Sequence, residues 1–337
     1  MPQPILAAQA TGNLTVMSDT VVRKVLTDDT GKRATGVEVV DAKTKAATTV
    51  TARAVMLAAS PVETIRLMLN SANAAHPQGL ANSSGVLGRY FMDQVPLLIF
   101  GSAPDATGKE DDPTWEADPY YGKTGGAYIP RWENVATRTD AGFVRGYGFQ
   151  GTAGRLFVKP GRPSQIALMG FGELLPYADN RVTLAKSATA GVCRSPISCA
   201  GSARTKSALA KEKTGDQGDG RRSRLRRRVD RLPLGLEESG CGAYPNEDPI
   251  SRLFFRLFFK SSMTMGAAIH ESGGARMGED PKTSVLNAAI KQDVPNLFVT
   301  DASAFPTSGT AGTTLTVMAL TVRALRVHRR RDDAGRL

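Results

Sequence analysis

Of the side chains able to move a proton near neutral pH, the sequence offers three imidazoles, His76, His270 and His328. Imidazole is the natural general base under such conditions because its ordinary titration lies close to neutrality. His270 stands in AAIHESGGARMG, ahead of Gly273 and Gly274, where a base or a hydrogen-bonded structural histidine before a tight turn would both fit. His76 precedes a proline and His328 lies among arginines, so both read as solvent-facing. A second polar group runs from Asp301 through Ser303, Thr307 and Ser308 around Pro306 to Gly312, Thr313 and Thr314. Cys193, Cys199 and Cys241 are odd in number and lack ligand spacing, so neither a disulfide framework nor a metal site is expected.

The elements that must position these residues are legible in part. Leu297, Phe298 and Val299 form an apolar run ending at Asp301, as a buried parallel strand would. Leu315, Met318, Ala319, Val322 and Leu325 then recur at helical spacing. Strand, polar loop and helix place the loop at the carboxyl edge of the strand, where open α/β sheets bind ligands. The helix start at 312–314 would turn unpaired amides toward anything negative.

Upstream, 13–59 alternates and turns like an antiparallel meander: NLTVM, TVVRKVLTD, GVEVVD, then TVTARAVMLAAS. Its last run, 54–59, reads as a parallel strand that stops at Ser60, and a helix starts with Pro61. Ile65, Leu67, Met68 and Leu69 give that helix its apolar face. Residues 80–94 are loop-like, 95–184 reads as a mostly antiparallel sheet, and 104–118 as an acidic surface loop. Residues 190–240 show no sustained period, which is improbable for a compact domain. An amphipathic helix follows at 246–260.

A chain of 337 residues with an ordinary 41% hydrophobic share has room for two cores. No apolar run approaches the roughly 20 residues of a membrane helix. The first residues lack the charged and apolar regions of a secretory signal, and no compartment is assigned. The formal charge of +11 invites a nucleic-acid reading. Its excess gathers in 204–231 and near 329–331, however, with no aromatic residues interleaved in the first cluster, so a solvated segment explains it and no nucleic acid is expected.

Together these segments resemble the glucose–methanol–choline (GMC) family of FAD-dependent oxidoreductases. The resemblance covers roughly 12–185 and 246–325 and is strongest in AAIHESGGARMGEDPKTSVLN followed by DVPNLFVTDASAFPTSGTAGTTLTVMAL. GLANSSGVLGRYFMDQ, RGYGFQG and ELLPYADNRVTL extend it in the same order. It implies a mixed α/β fold: an FAD-binding Rossmann-like domain from 1–94 and 280–337, and a mostly antiparallel β substrate domain from 95–279. It also implies oxidation of an alcohol, a sugar or polyol, by hydride transfer to the flavin with His270 as base. Electrons would then pass to an acceptor such as a quinone or partner protein.

By the same resemblance, Val22 matches the position whose backbone meets the adenine, and Ala59 and Ser60 the strand end near the diphosphate. Asp301 and Ala302 match the pair beside the pyrophosphate and ribityl chain, and Thr313 and Thr314 the helix start facing the flavin pyrimidine. Three departures accompany it. The glycine-rich strand–turn–helix that opens the family's FAD domain has no counterpart, so the FAD domain is expected to be incomplete and the amino terminus truncated. Gly312 stands where the family has a histidine or asparagine, leaving Thr313 as the available donor. Recognisable text stops near Leu184 and resumes near Asn246, as a shifted reading frame would produce. An inactive truncated fragment, or a basic nucleic-acid-binding protein built on 204–231, are the other readings.

Overall fold

The computed structural model describes residues 3–107, 126–131, 135, 137, 145–153, 163–189, 193–199, 226–227, 270–290 and 293–332. The meander is an antiparallel three-stranded sheet of β1 (Thr20–Thr27), β2 (Ala34–Asp41) and β3 (Ala47–Thr51). After it come β4 (Val55–Leu57) and the helix α2 (Pro61–Asn70), with Pro61 in the first turn where its missing N–H costs nothing. Helix α1 (Gln3–Ala10), ahead of the meander, was not legible, since its apolar residues share no face and none is buried. NLTVM at 13–17 is extended chain with no partner strand rather than the meander's first strand.

The antiparallel sheet expected across 95–184 is present as β5 (Gln94–Thr107), β6 (Gly126–Ile129), β7 (Tyr147–Ala153) and β8 (Pro163–Glu173). Its order places β8 between β5 and β7, with β6 outermost beside β7. Because β5 runs to Thr107, residues 104–107 are strand and not loop; 108–118 lie outside the described residues. Strand β9 (Arg181–Thr189) pairs with β10 (Cys193–Cys199), and β11 (Arg226–Arg227) pairs with β5. These two short strands lie within 190–240, which was read as irregular throughout; the rest of that segment and the helix at 246–260 are outside the described residues. GYGFQG at 146–151 matches a dinucleotide fingerprint in spelling, but it lies on β7 between two antiparallel neighbours and opens no helix.

The parallel pair is β4 with β12 (Leu297–Val299), in register Leu297 with Val55 and Val299 with Leu57. Val55 donates to Asn296 and Leu57 accepts from Thr300, so ladder geometry turns the N–H and C=O of Met56 to the other side. Among the described residues no strand pairs along that side. The final helix, α3 (Thr314–Asp332), follows β12 and seats Ala324 in the core. The helix expected from the spacing is present, but its apolar stripe is outside: Leu315, Met318, Val322 and Leu325 are 78%, 58%, 47% and 44% exposed. Helical spacing marks an apolar face but not what covers it.

The main core gathers Val25 from the meander, Leu67 and Met68 from α2, Val55, Leu57 and Phe298 from the parallel pair, and Leu286 and Ile290 from the returning chain. Buried Asn296 holds that core to the meander. Its amide nitrogen donates to the carbonyls of Ala34 (2.7 Å) and Arg53 (2.8 Å), and its oxygen accepts from Ala34 N–H (2.9 Å). His76 is also half-buried rather than solvent-facing, with Nε2 2.8 Å from the Gly31 carbonyl in the β1–β2 turn. Asn296→Ala leaves buried backbone groups unpaired and should lower unfolding free energy by about 2–3 kcal/mol, read as a reduced urea midpoint at unchanged slope.

Candidate active site

Residues 270–277, which turn at Gly273–Gly274, run between two other stretches of chain, and this placement fixes His270. On one side Ser272 and Met92 exchange backbone hydrogen bonds of 2.8 Å each. On the other, Gly273, Ala275 and Met277 donate to the carbonyls of Ala302, Ser303 and Ala304. The approach is too close for side chains at the turn. A Cβ on Gly273 would stand 2.3 Å from the Tyr90 carbonyl oxygen, and one on Gly274 2.1 Å from Ile65 Cδ1. Both glycines have positive φ, +75° and +91°, which most residues adopt only under strain.

His270 enters this frame half-buried and held at three points. Its backbone N–H donates to Asp93 Oδ1 at 3.0 Å, and the same oxygen accepts from the Gln94 N–H at 2.7 Å. Its Nδ1 lies 2.7 Å from Gln94 Oε1. The Phe171 ring, carried on β8, lies with its centroid 5.4 Å from the imidazole. Nε2 faces the backbone at Gly312, since a Cβ built there would be 3.8 Å from it. The imidazole thus stands between the end of the antiparallel sheet and the loop that leads into α3. Asp93 and Gln94 were missed from sequence; both lie in GLANSSGVLGRYFMDQ, but a stretch without periodicity gave no reason to single out two of its polar residues.

Thr313 is half-buried, and its carbonyl accepts the first helical bond of α3 from Val317 N–H at 3.0 Å. Thr314 is exposed at the helix start. The amides of this first turn have no partner within the helix, so it can hold partial negative charge. The predicted residue pairs Ala59–Ser60 and Asp301–Ala302 are also brought together. The Thr64 hydroxyl bonds the Asp301 carboxylate and lies 3.3 Å from Ala59 N, while Thr64 N–H donates to the Ser60 carbonyl. Asp301 also accepts from Ser303 N–H and its hydroxyl, capping a short 3-10 turn, Ala302–Ala304. Its carboxylate is therefore occupied in fixing the strand end. Val22 sits apart on β1, where its carbonyl accepts from buried Arg66 of α2 at 3.2 Å.

The strand edge at 58–60 presents small side chains rather than metal-ligating ones. Ala58, Ala59 and Ser60 are small and exposed, and Ser60 has a φ of 78° with no side-chain cap on α2. Among the described residues no group of His, Cys, Asp and Glu is arranged to hold a metal ion. No described helix is long and apolar enough to cross a membrane.

Comparison with solved structures places the fold. A pyridoxine 4-oxidase from Mesorbium loti superposes with a TM-score of 0.56 at 18% identity, covering 96% of this chain and 60% of that one. A formate oxidase gives 0.57 at 15% identity, with 93% and 60% covered. The mixed α/β fold is the one these oxidases share. Residues 3–95 and 236–321 match the amino- and carboxyl-terminal family models described as GMC oxidoreductase, and the chain belongs to that family. The match resumes at 236, ahead of the point near Asn246 where recognisable text was expected to return. A 2-methyl-1,2-propanediol dehydrogenase from Mycolicibacterium austroafricanum is 29% identical over 330 residues, 87% of this chain and 50% of its own length. The fructose dehydrogenase large subunit of Gluconobacter japonicus is 26% identical over 294 residues, 82% and 47% respectively. The chain spans about half the length of these curated relatives.

Two glycines provide a local test. Gly273→Ala should destabilise by more than about 2 kcal/mol, because backbone stands in the way and φ is positive. Gly312→Ala has ordinary van der Waals room and should stay within about 0.5 kcal/mol of the parent. Thermal melts of the two variants beside the parent check both expectations.

Proposed function

We propose that this chain carries the flavin-ring wall and the substrate sheet of an FAD-dependent enzyme that oxidises an alcohol, a sugar or polyol, with His270 as the base. Residues 1–94 and 280–337 form the FAD-side portion and 95–279 the substrate domain. The observation that carries the proposal is the imidazole itself: Nδ1 is tied to Gln94 while Nε2 faces the mouth of the 309–314 loop. Support comes also from the family and from relatives that are named dehydrogenases of a diol and a sugar.

FAD, when bound, supplies the hydride acceptor. The remaining work falls to the chain. Nε2 takes the proton from the substrate hydroxyl as the adjacent carbon loses hydride, a step for which a positioned base is typically worth ~10²–10⁴-fold. Phe171 excludes water from one side of the imidazole and offers an apolar wall to the substrate carbon. Ala59, Ser60 and Ala302 would border the cofactor at the strand edge, with Asp301 holding that edge in place and Val22 offering backbone further out. The amides at the start of α3, at Thr313 and Thr314, would favour negative charge on the reduced ring. Thr313 takes the place of the donor that glycine at 312 removes. Electrons leave to an acceptor such as a quinone or partner protein.

A second reading is a chain of this family that does not retain flavin by itself. Two observations favour it: among the described residues no strand pairs with the other side of β4, and the apolar stripe of α3 is exposed. Titrating the purified chain with FAD separates the two readings. A flavin absorption band that survives gel filtration, and its bleaching by a sugar or polyol, support the enzyme; a colourless product overturns it for this chain. In the loaded protein His270→Ala should slow bleaching by about 10²–10⁴-fold while leaving the band in place.

A further inference from the structure

We infer that Gln94 is a positioning residue that decides which nitrogen of His270 acts as the base. An amide side chain has one acceptor end and one donor end, and which is which follows from its neighbours. One end of Gln94 meets two backbone carbonyls, those of Gly309 at 3.0 Å and Ala311 at 2.8 Å. Carbonyl oxygens only accept, so that end must be the NH₂ group; the reverse orientation would set three oxygens against one another. The other end is then an oxygen, and it faces His270 Nδ1 at 2.7 Å. Nδ1 must carry the proton, and Nε2 is left with its lone pair toward Gly312.

The clamp is well held. Gln94 is only 3% exposed, and its backbone is pinned by the same Asp93 oxygen that holds the His270 backbone. One side chain therefore links three parts of the site: the start of β5, the histidine segment and the loop before α3. The link is electrically neutral, unlike the carboxylate that orients histidine in hydrolase triads. The charged and titratable groups around the imidazole are Asp93 at the backbone, Glu271 beside it in sequence, and Glu173, which faces Gln94 across β5 and β8 and pairs with Arg131 and Arg145. None of these is the partner of Nδ1. Gln94 alone among the described residues supplies an acceptor to that nitrogen.

The assignment deepens the proposed function, since it concerns the same base, but its test needs no flavin. Full-length chain labelled with ¹⁵N-histidine has three imidazoles, and a His270→Asn sample identifies the signals of interest. Long-range ¹H–¹⁵N spectra of the parent at a pH where the ring is neutral should show the proton on Nδ1. Gln94→Glu keeps an acceptor for Nδ1–H and should keep that signature. Gln94→Leu offers none and should lose it. A parent with the proton on Nε2, or a Leu variant that retains the Nδ1–H pattern, overturns the inference. If the Leu variant fails to fold, the parent spectrum alone still decides. A parent with Nδ1–H that never binds FAD would leave this assignment standing and remove the enzymatic one.

Discussion

The whole arrangement depends on how closely backbone approaches backbone at Gly273. The histidine segment lies between residues 88–92 and the 302–304 turn, and it bonds to both. A side chain at 273 would push the Tyr90 carbonyl away, and one at 274 would enter the space of Ile65. Removing those two Cβ atoms lets three separate stretches of chain share one layer. Only then does Asp93 reach the His270 amide, and only then does Gln94 reach the ring. The glycines do no chemistry, but the distances at the site follow from them.

The two clusters of functional residues are held by different means. At the strand edge, short polar side chains close on one another: Thr64, Asp301 and Ser303 form a buried network that leaves the small residues Ala59 and Ser60 facing out. Such networks are rigid when every member is satisfied, and here the carboxylate accepts three hydrogen bonds. At the imidazole, the clamp is an amide spanning elements distant in sequence. The first cluster shapes a surface; the second orients a reactive atom. Their connection is the three bonds from Gly273, Ala275 and Met277 to the turn that Asp301 caps.

Much of this was legible before any coordinates. The alternating runs of the meander, the proline at the start of α2 and the run Leu297–Val299 each follow from local rules, and the structure agrees with them. His270 stood out through the resemblance of AAIHESGGARMG to the family, since the Gly273–Gly274 turn by itself fits a structural histidine as well. What sequence could not supply was partnership. Gln94 matters through carbonyls more than 200 positions away, and no local pattern records such a contact. Met318 and Val322 keep helical spacing whether or not anything lies over them. The strands at Cys193–Cys199 and Arg226–Arg227 exist through their pairing and not through any period of their own.

The bare flank of β4 and the greasy side of α3 also bear on handling. Among the described residues no strand pairs with the Met56 side of β4, and Leu315, Met318, Val322 and Leu325 of α3 are exposed; an unpaired strand edge and an exposed apolar stripe are both surfaces to which other chains adhere. Self-association in concentrated solution is the expected consequence, countered by mild detergent or by a polypeptide that covers either surface.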